Sequence, residues 1–314
     1  MNLLGVWERV IPAADPEPTP VVVPPPPLVD ARQEELLAGA HTLRVRIEEA
    51  CTALDASAVR EAHAALLSQF GPQAWAAQAG AWADELEWLS EPLSGNERAS
   101  RALLLGATRG LRDAPRSLVE SVRAAALKRA ALQLLAAHGP QAATADGRPA
   151  GYLVLLSGEV ELARELLLAA CEADGNLNAR WLGYLGEAAW RSGDGFVALQ
   201  AYCRASLLDP GNIDQECLTC QPVLELMDLS DELELSDVSL SHLAVLAELT
   251  GKHPLREVEA SASSPLAVRL AAQLCGYRKA RANGALDEAA RIASKRELAR
   301  LAPVGLRELL RRLS

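Results

Sequence analysis

The chain has 314 residues, half of them apolar and only 4% aromatic, with a formal net charge of −10. That is enough for a core of about two domains' mass, or for one continuous helical array. The acidic balance excludes a general polyanion binder, whose affinity would come from neutralising phosphates, so no nucleic-acid partner is expected.

Ala, Leu, Arg and Glu dominate, and no run of β-branched residues stands out beyond the proline-rich head, which favours an all-α fold. Six cysteines without a secretory signal read as reduced thiols in a cytoplasmic protein. Residues 1–10 lack a basic start and a long apolar run, so they make a poor signal peptide. The longest uncharged stretch, 64–83, holds three Gln and the Gly71-Pro72 break, and reads as two soluble helices and not a membrane span.

In chain order, residues 1–29 form an apolar head and a proline-rich linker expected to be disordered. Leu3, Leu4, Trp7 and Val10 fall at helical spacing, a short amphipathic element suited to a groove on a partner or on the chain itself. Behind it, Pro12, Pro16, Pro18, Pro20 and the run 24–27 favour extended polyproline II, which at ~3.1 Å per residue lets residues 11–28 reach ~50 Å.

Residues 30–140 read as successive helices, either degenerate repeats or a bundle. The first covers 31–54, with Leu36, Leu37, Leu43, Val45 and Ile47 among charges. Ser57 is placed to cap a second, which Gly71-Pro72 ends near Phe70. The third, 74–89, carries Trp75, Trp82 and Leu89 seven apart, with Trp88 near the same face, a core stripe. Ser94 with Glu97, and Ser117 with Glu120, are spaced as capping boxes for two more, the second ended by Gly139-Pro140.

Residues 141–211 hold two units offset by 35 positions. Gly151, Gly158, Ala163 and Ala170 return as Gly186, Gly193, Ala198 and Ala205, and the units close on Asp174-Gly175 and Asp209-Pro210-Gly211. Pro149 opens the first pair of helices, and Gly158 separates the pair. In the second, Asn178 caps a helix to Arg191, Gly193-Asp194 turns, and 196–208 returns. The small residues let paired helices approach, with Leu185, Tyr202 and Leu208 filling the space around them.

Residues 212–314 lose this phase. A helix over 214–229 is expected to be interrupted or kinked at Pro222, and 225–237 has six acids and no base. An apolar helix over 239–250 follows, then a pair over 265–282 and 285–301 split by Asn283-Gly284, and a terminal cap over 305–313. From Arg269 to Arg312 there are eleven Lys or Arg against four Asp or Glu, a solvated face or a basic docking surface.

The spacing and residue types over 144–211 resemble the tetratricopeptide repeat (TPR), a helix-turn-helix unit of about 34 residues. The resemblance implies an α-solenoid of TPR-like antiparallel helix pairs, whose first helices line a groove for a partner peptide or helix. On this basis Arg180, Tyr184, Glu187 and Arg191 form the binding stripe of the 178–191 helix, with Trp190 at its edge and Tyr152 as the counterpart one repeat earlier, unless Tyr184 or Trp190 packs against the neighbouring repeat; Leu3, Leu4 and Trp7 would be a second docking motif. Some members of the family clamp a peptide's terminal carboxylate with Lys and Asn; Gly183 and Glu187 occupy those positions here, which disfavours that mode.

Enzymatic chemistry finds little support. No phosphate-binding glycine loop occurs, and no His shares a motif with a Ser or Cys nucleophile. Cys217 and Cys220 give the only metal-like spacing, with Cys203, His242 and His253 as distant candidates, and two such thiols are more often core residues. The expectation is a non-enzymatic scaffold or adaptor for protein partners, without cofactor and with possible self-association. Alternatives are a structural subunit of a large assembly, such as a secretion or injection machine, and a metal-binding helical domain.

Overall fold

The computed structural model describes residues 31–72, 76–90, 94–104, 114–235, 240–255, 257–285 and 287–311. The head residues Leu3, Leu4 and Trp7, the proline-rich linker and Trp75 lie outside them. The described residues are all-helical, with one isolated bridge between Ala143 and Pro149. None of their helices is long and apolar enough to cross a membrane.

Five helices precede the repeats: α1 (Ala31–Thr52), α2 (Ala56–Phe70), α3 (Ala76–Ser90), α4 (Gly95–Leu103) and α5 (Arg116–His138). Ser94 and Glu97 form the expected capping box on α4. Two other starts differ from expectation. Asp55, not Ser57, caps α2, because its carboxylate takes the Ala58 amide at 2.9 Å and starts the helix two residues earlier. Pro115 opens α5 without a side-chain cap, which places Ser117 inside the first turn. Gly71 and Gly139 end α2 and α5 at φ of 71° and 73°. Trp82 and Leu89 are buried as the stripe expects, and the Arg101 guanidinium lies 4.5 Å over the half-buried Trp88 ring.

The two repeat units are α6 (Ala150–Leu156) with α7 (Val160–Ala173), and α8 (Ala179–Arg191) with α9 (Gly195–Leu208). Both ends of α9 lie 35 positions beyond those of α7 (160 to 195, 173 to 208). The separating Gly158 and Gly193 have φ of 88° and 87°. A Cβ on Gly151 would sit 2.8 Å from Leu167 Cγ, and one on Gly186 2.7 Å from Tyr202 Cδ2, so each glycine lets a large side chain lie flat against its helix backbone. The large partner is sixteen residues on in both units. Leu208, expected among these fillers, is instead 42% exposed, as the last residue of α9. Gly95 of α4 meets Leu134 of α5 in the same way, at 2.7 Å.

Beyond α9 the chain takes two 3-10 turns, Pro210–Asn212 and Gln215–Cys217, before α10 (Gln221–Glu232). Pro222 therefore does not interrupt a helix over 214–229. It lies in the first turn of α10, where its missing N–H costs no hydrogen bond. Then come α11 (Leu243–Leu249), shorter than expected, α12 (Leu266–Ala282), α13 (Glu288–Leu301) and α14 (Val304–Arg311). One contiguous apolar core runs from Ile47 to Leu310, beside a small cluster of Leu43 and Leu66.

Candidate functional site

The α8 helix is fixed at its start by Asn178, whose side-chain oxygen accepts the Arg180 and Trp181 amides at 3.1 and 3.2 Å. Two long side chains then tie it to the turn before α6: Arg180 Nη1 donates to the Asp146 carbonyl at 2.8 Å, and Trp181 Nε1 to the Gly147 carbonyl at 3.0 Å. Ten of the thirteen α8 residues are buried, so the helix has almost no solvent face.

The expected stripe is brought together, but it faces inward. Tyr184 is 1% exposed and stacks on Tyr152 with ring centroids 4.1 Å apart and planes at 25°. Arg148 and Arg180 lie over these rings, at 5.5 and 5.8 Å from Tyr152 and Tyr184 respectively. Arg148 went unnoticed in the sequence; the signal for it is the Arg-x-x-x-Tyr spacing shared by 148–152 and 180–184. Trp190 is half-buried against Gly195, Arg180 is half-buried at the rim, and Arg191 is exposed.

What covers the stripe is residues 209–220, a strap that sequence periodicity could not reveal. Ile213, Asp214 and Leu218 have extended backbone, and the strap advances along α8 in the same direction as the helix. Ile213 packs at Gly183, where an added Cβ would be 3.3 Å from Ile213 Cγ2. Tyr184 Oη receives the Arg180 Nε proton at 3.0 Å and donates to Asp214 Oδ2 at 2.9 Å. Arg180 Nη2 lies 3.9 Å from the same carboxylate. Cys217 Sγ and Tyr152 Oη are 2.9 Å apart.

Glu187 fastens the far end. It is fully buried, and its carboxylate accepts Thr219 Oγ1 at 2.5 Å, the Thr219 amide at 2.9 Å, Tyr202 Oη at 3.1 Å and Arg191 Nε at 2.7 Å. Four donors around one carboxylate offset the cost of taking it out of water. Burial, then the Asp214 bond, pushes the Tyr184 phenol up; burial and the Glu187 charge do the same to Tyr202. Both stay protonated donors.

The Cys217 and Cys220 pair belongs to this strap and does not meet the other candidates as a ligand set. Among the described residues no group of three or more His, Cys, Asp or Glu is placed to hold a metal ion. Burial pushes the Cys220 thiol up to about 11 and raises Cys217, against the thiolate a metal or redox site needs.

The charged flanks also find partners within the chain. In the basic tail, Arg291, Arg300 and Arg311 pair with Glu288, Glu297 and Glu308 one helical turn away. The tail and the acidic stretch are neighbours in one molecule, since Gly305 of α14 lies against the Leu233 carbonyl after α10. Comparison with protein-family models, with curated proteins and with solved structures yields no match to this chain.

Proposed function

We propose that the protein is a non-enzymatic scaffold or adaptor: an α-solenoid of TPR-like antiparallel helix pairs that holds a partner polypeptide on the face of α6 and α8. The observation that carries this reading is the strap. The face made by Tyr152, Arg180, Tyr184 and Glu187 already accommodates an irregular segment through side-chain bonds, the kind of contact by which a helical face reads an extended peptide. The 35-residue coincidence of helix ends, turn glycines and glycine-to-side-chain contacts supports the repeat architecture. Aromatic area beside charge is the chemistry of binding hot spots.

The test is quantitative capture of partners from the source cell with three proteins: the intact chain, one lacking residues 1–28, and Arg180→Ser. Arg180 is half-buried at the rim and its loss removes the bonds to Asp146 and Tyr184, so the unfolding midpoint of this variant is measured alongside to confirm that it is folded. Partners lost with Arg180→Ser and kept by the truncated chain place the site on this face. Loss in the truncated chain alone moves it to the head, and identical recovery by all three refutes both.

A further inference from the structure

We propose that residues 209–220 are an openable internal ligand, which occupies the α6–α8 face until an external segment of the same chemistry replaces it. This rests on the reading above that the face binds polypeptide, and it adds the class of partner and the control over access.

Three features mark the strap as a bound segment more than a rung of the helical array. Apart from the bonds that join its two ends to α9 and α10, Asp209 to Ala205 and Val223 and Leu224 to Cys220, its backbone bonds are local, Asn212 to Asp209, Cys217 to Asp214 and Leu218 to Gln215; among the described residues none joins it to α6 or α8. Its hold on the face is made mainly by side chains, at four places: an aliphatic side chain at Gly183, a carboxylate between Arg180 and Tyr184, the Cys217 thiol at Tyr152, and a hydroxyl with its own amide on Glu187. Finally, both 3-10 turns lack a side-chain cap, so the strap is held by these anchors and by the burial of Ile213, Leu218 and Cys220, and not by secondary structure of its own. A segment so held opens without unfolding the helices beneath it.

Three of these places specify what can replace it. The Gly183 notch takes a branched aliphatic residue, as it takes Ile213. Arg180 and Tyr184 take an acid at the next position, as they take Asp214. Glu187 accepts a hydroxyl residue five positions further on, as it accepts Thr219. The partner is thus an extended peptide with an aliphatic-acidic pair followed by Ser or Thr. Its affinity is lowered by the fraction of time the strap is closed.

Thiol labelling of the unmodified protein under native conditions tests the opening. Cys220 in the strap is 0% exposed, while Cys171 of α7 and Cys203 of α9 are 1% and 3% exposed, so all three are shielded alike in the closed molecule. Local opening makes Cys220 label about a hundredfold faster than Cys171 and Cys203. Equal rates would mean the strap leaves only on global unfolding and would overturn the proposal.

A synthetic peptide of residues 209–220, with both cysteines replaced by alanine, tests the exchange. Added in excess, it should hold the face and raise the Cys220 rate further, whereas a peptide with Asp214→Asn and Thr219→Val should not. No rise with the first peptide, or the same rise with both, rejects the internal-ligand assignment even if the strap opens. Peptide exchange that succeeds while Arg180→Ser captures the same cellular partners as the intact chain refutes the adaptor reading alone.

Discussion

The α8 and α13 helices are almost equal in length, at 13 and 14 residues, yet α8 buries ten of them and α13 only Leu298. The difference comes from position and not from helix propensity. The α8 helix has α7 on one side, α9 on the other and the strap along its face, so little of it is left for water beyond Arg180, Trp190 and Arg191. The α13 helix packs on α12 and α14 and leaves Ile292 41% exposed. Polar residues on the two helices therefore mean different things: on α8 they are bonded into the interior, on α13 they pair with each other in solvent.

The largest effect should follow from breaking the interior network. Glu187→Ala leaves Tyr202 Oη, the Thr219 amide and Arg191 without their acceptor, and should cost about 3 kcal/mol in denaturant unfolding. Glu297→Ala, which removes the exposed pair with Arg300 on α13, should leave the midpoint where it was. Equal losses at both sites would show that α8 is no more deeply held than α13.

Glycine substitution sharpens the same contrast with opposite signs. Gly186→Ala drives a Cβ to 2.7 Å from the Tyr202 ring and 3.2 Å from the Ala198 carbonyl, and should destabilise by about 2 kcal/mol. Gly276→Ala, on an exposed position of α12 with nothing within 4 Å, should stabilise by about 1 kcal/mol through lost unfolded-chain freedom. Thermal unfolding of the two variants checks both signs.

A pH effect is expected from His242, which is buried ahead of α11 with Nδ1 3.1 Å from Ser241 Oγ and no hydrogen-bond partner for Nε2 among the described residues. Burial lowers its pKa from the ordinary value of 6.5. The folded state then binds the proton less readily than the unfolded chain. Its stability contribution is complete above the unfolded value and declines as pH falls from about 6.5 through the lowered folded value. Urea midpoints between pH 8 and pH 5 should fall for the wild type and fall less for His242→Leu. A small effect is expected from Ile292→Ala, within about 0.5 kcal/mol of wild type by the same unfolding measurement, because the side chain is exposed and lies outside the apolar core.

How much of this was legible in the sequence depended on whether a residue's task was local. Gly151, Gly158, Gly186 and Gly193 announce the paired helices, because close approach and a positive φ each demand a small residue at a fixed place. Ser94 with Glu97 and Asn178 announce helix starts for the same reason, since a cap is a contact within four residues. Pro222 misled because the same residue breaks a helix interior and suits a first turn. The candidate stripe was legible but its orientation was not: the same spacing suits an open groove or packing against a neighbour, and only the tertiary structure shows that Tyr184 and Glu187 face inward. Ile213, Asp214 and Thr219 were missed because a strap has no period, and its partners lie 30 or more residues away in the chain.

The central claim is that the α6–α8 face is a firm surface under a cover that opens separately. Residue-resolved native-state hydrogen exchange tests it most directly, because the Thr219 amide is bonded only through Glu187 and so reports closure of the strap. The expected result is three levels of protection: highest for the buried amides of α8, intermediate for Thr219, lowest for α13. Thr219 exchanging at the same level as α8, with both lost together in global unfolding, would contradict it.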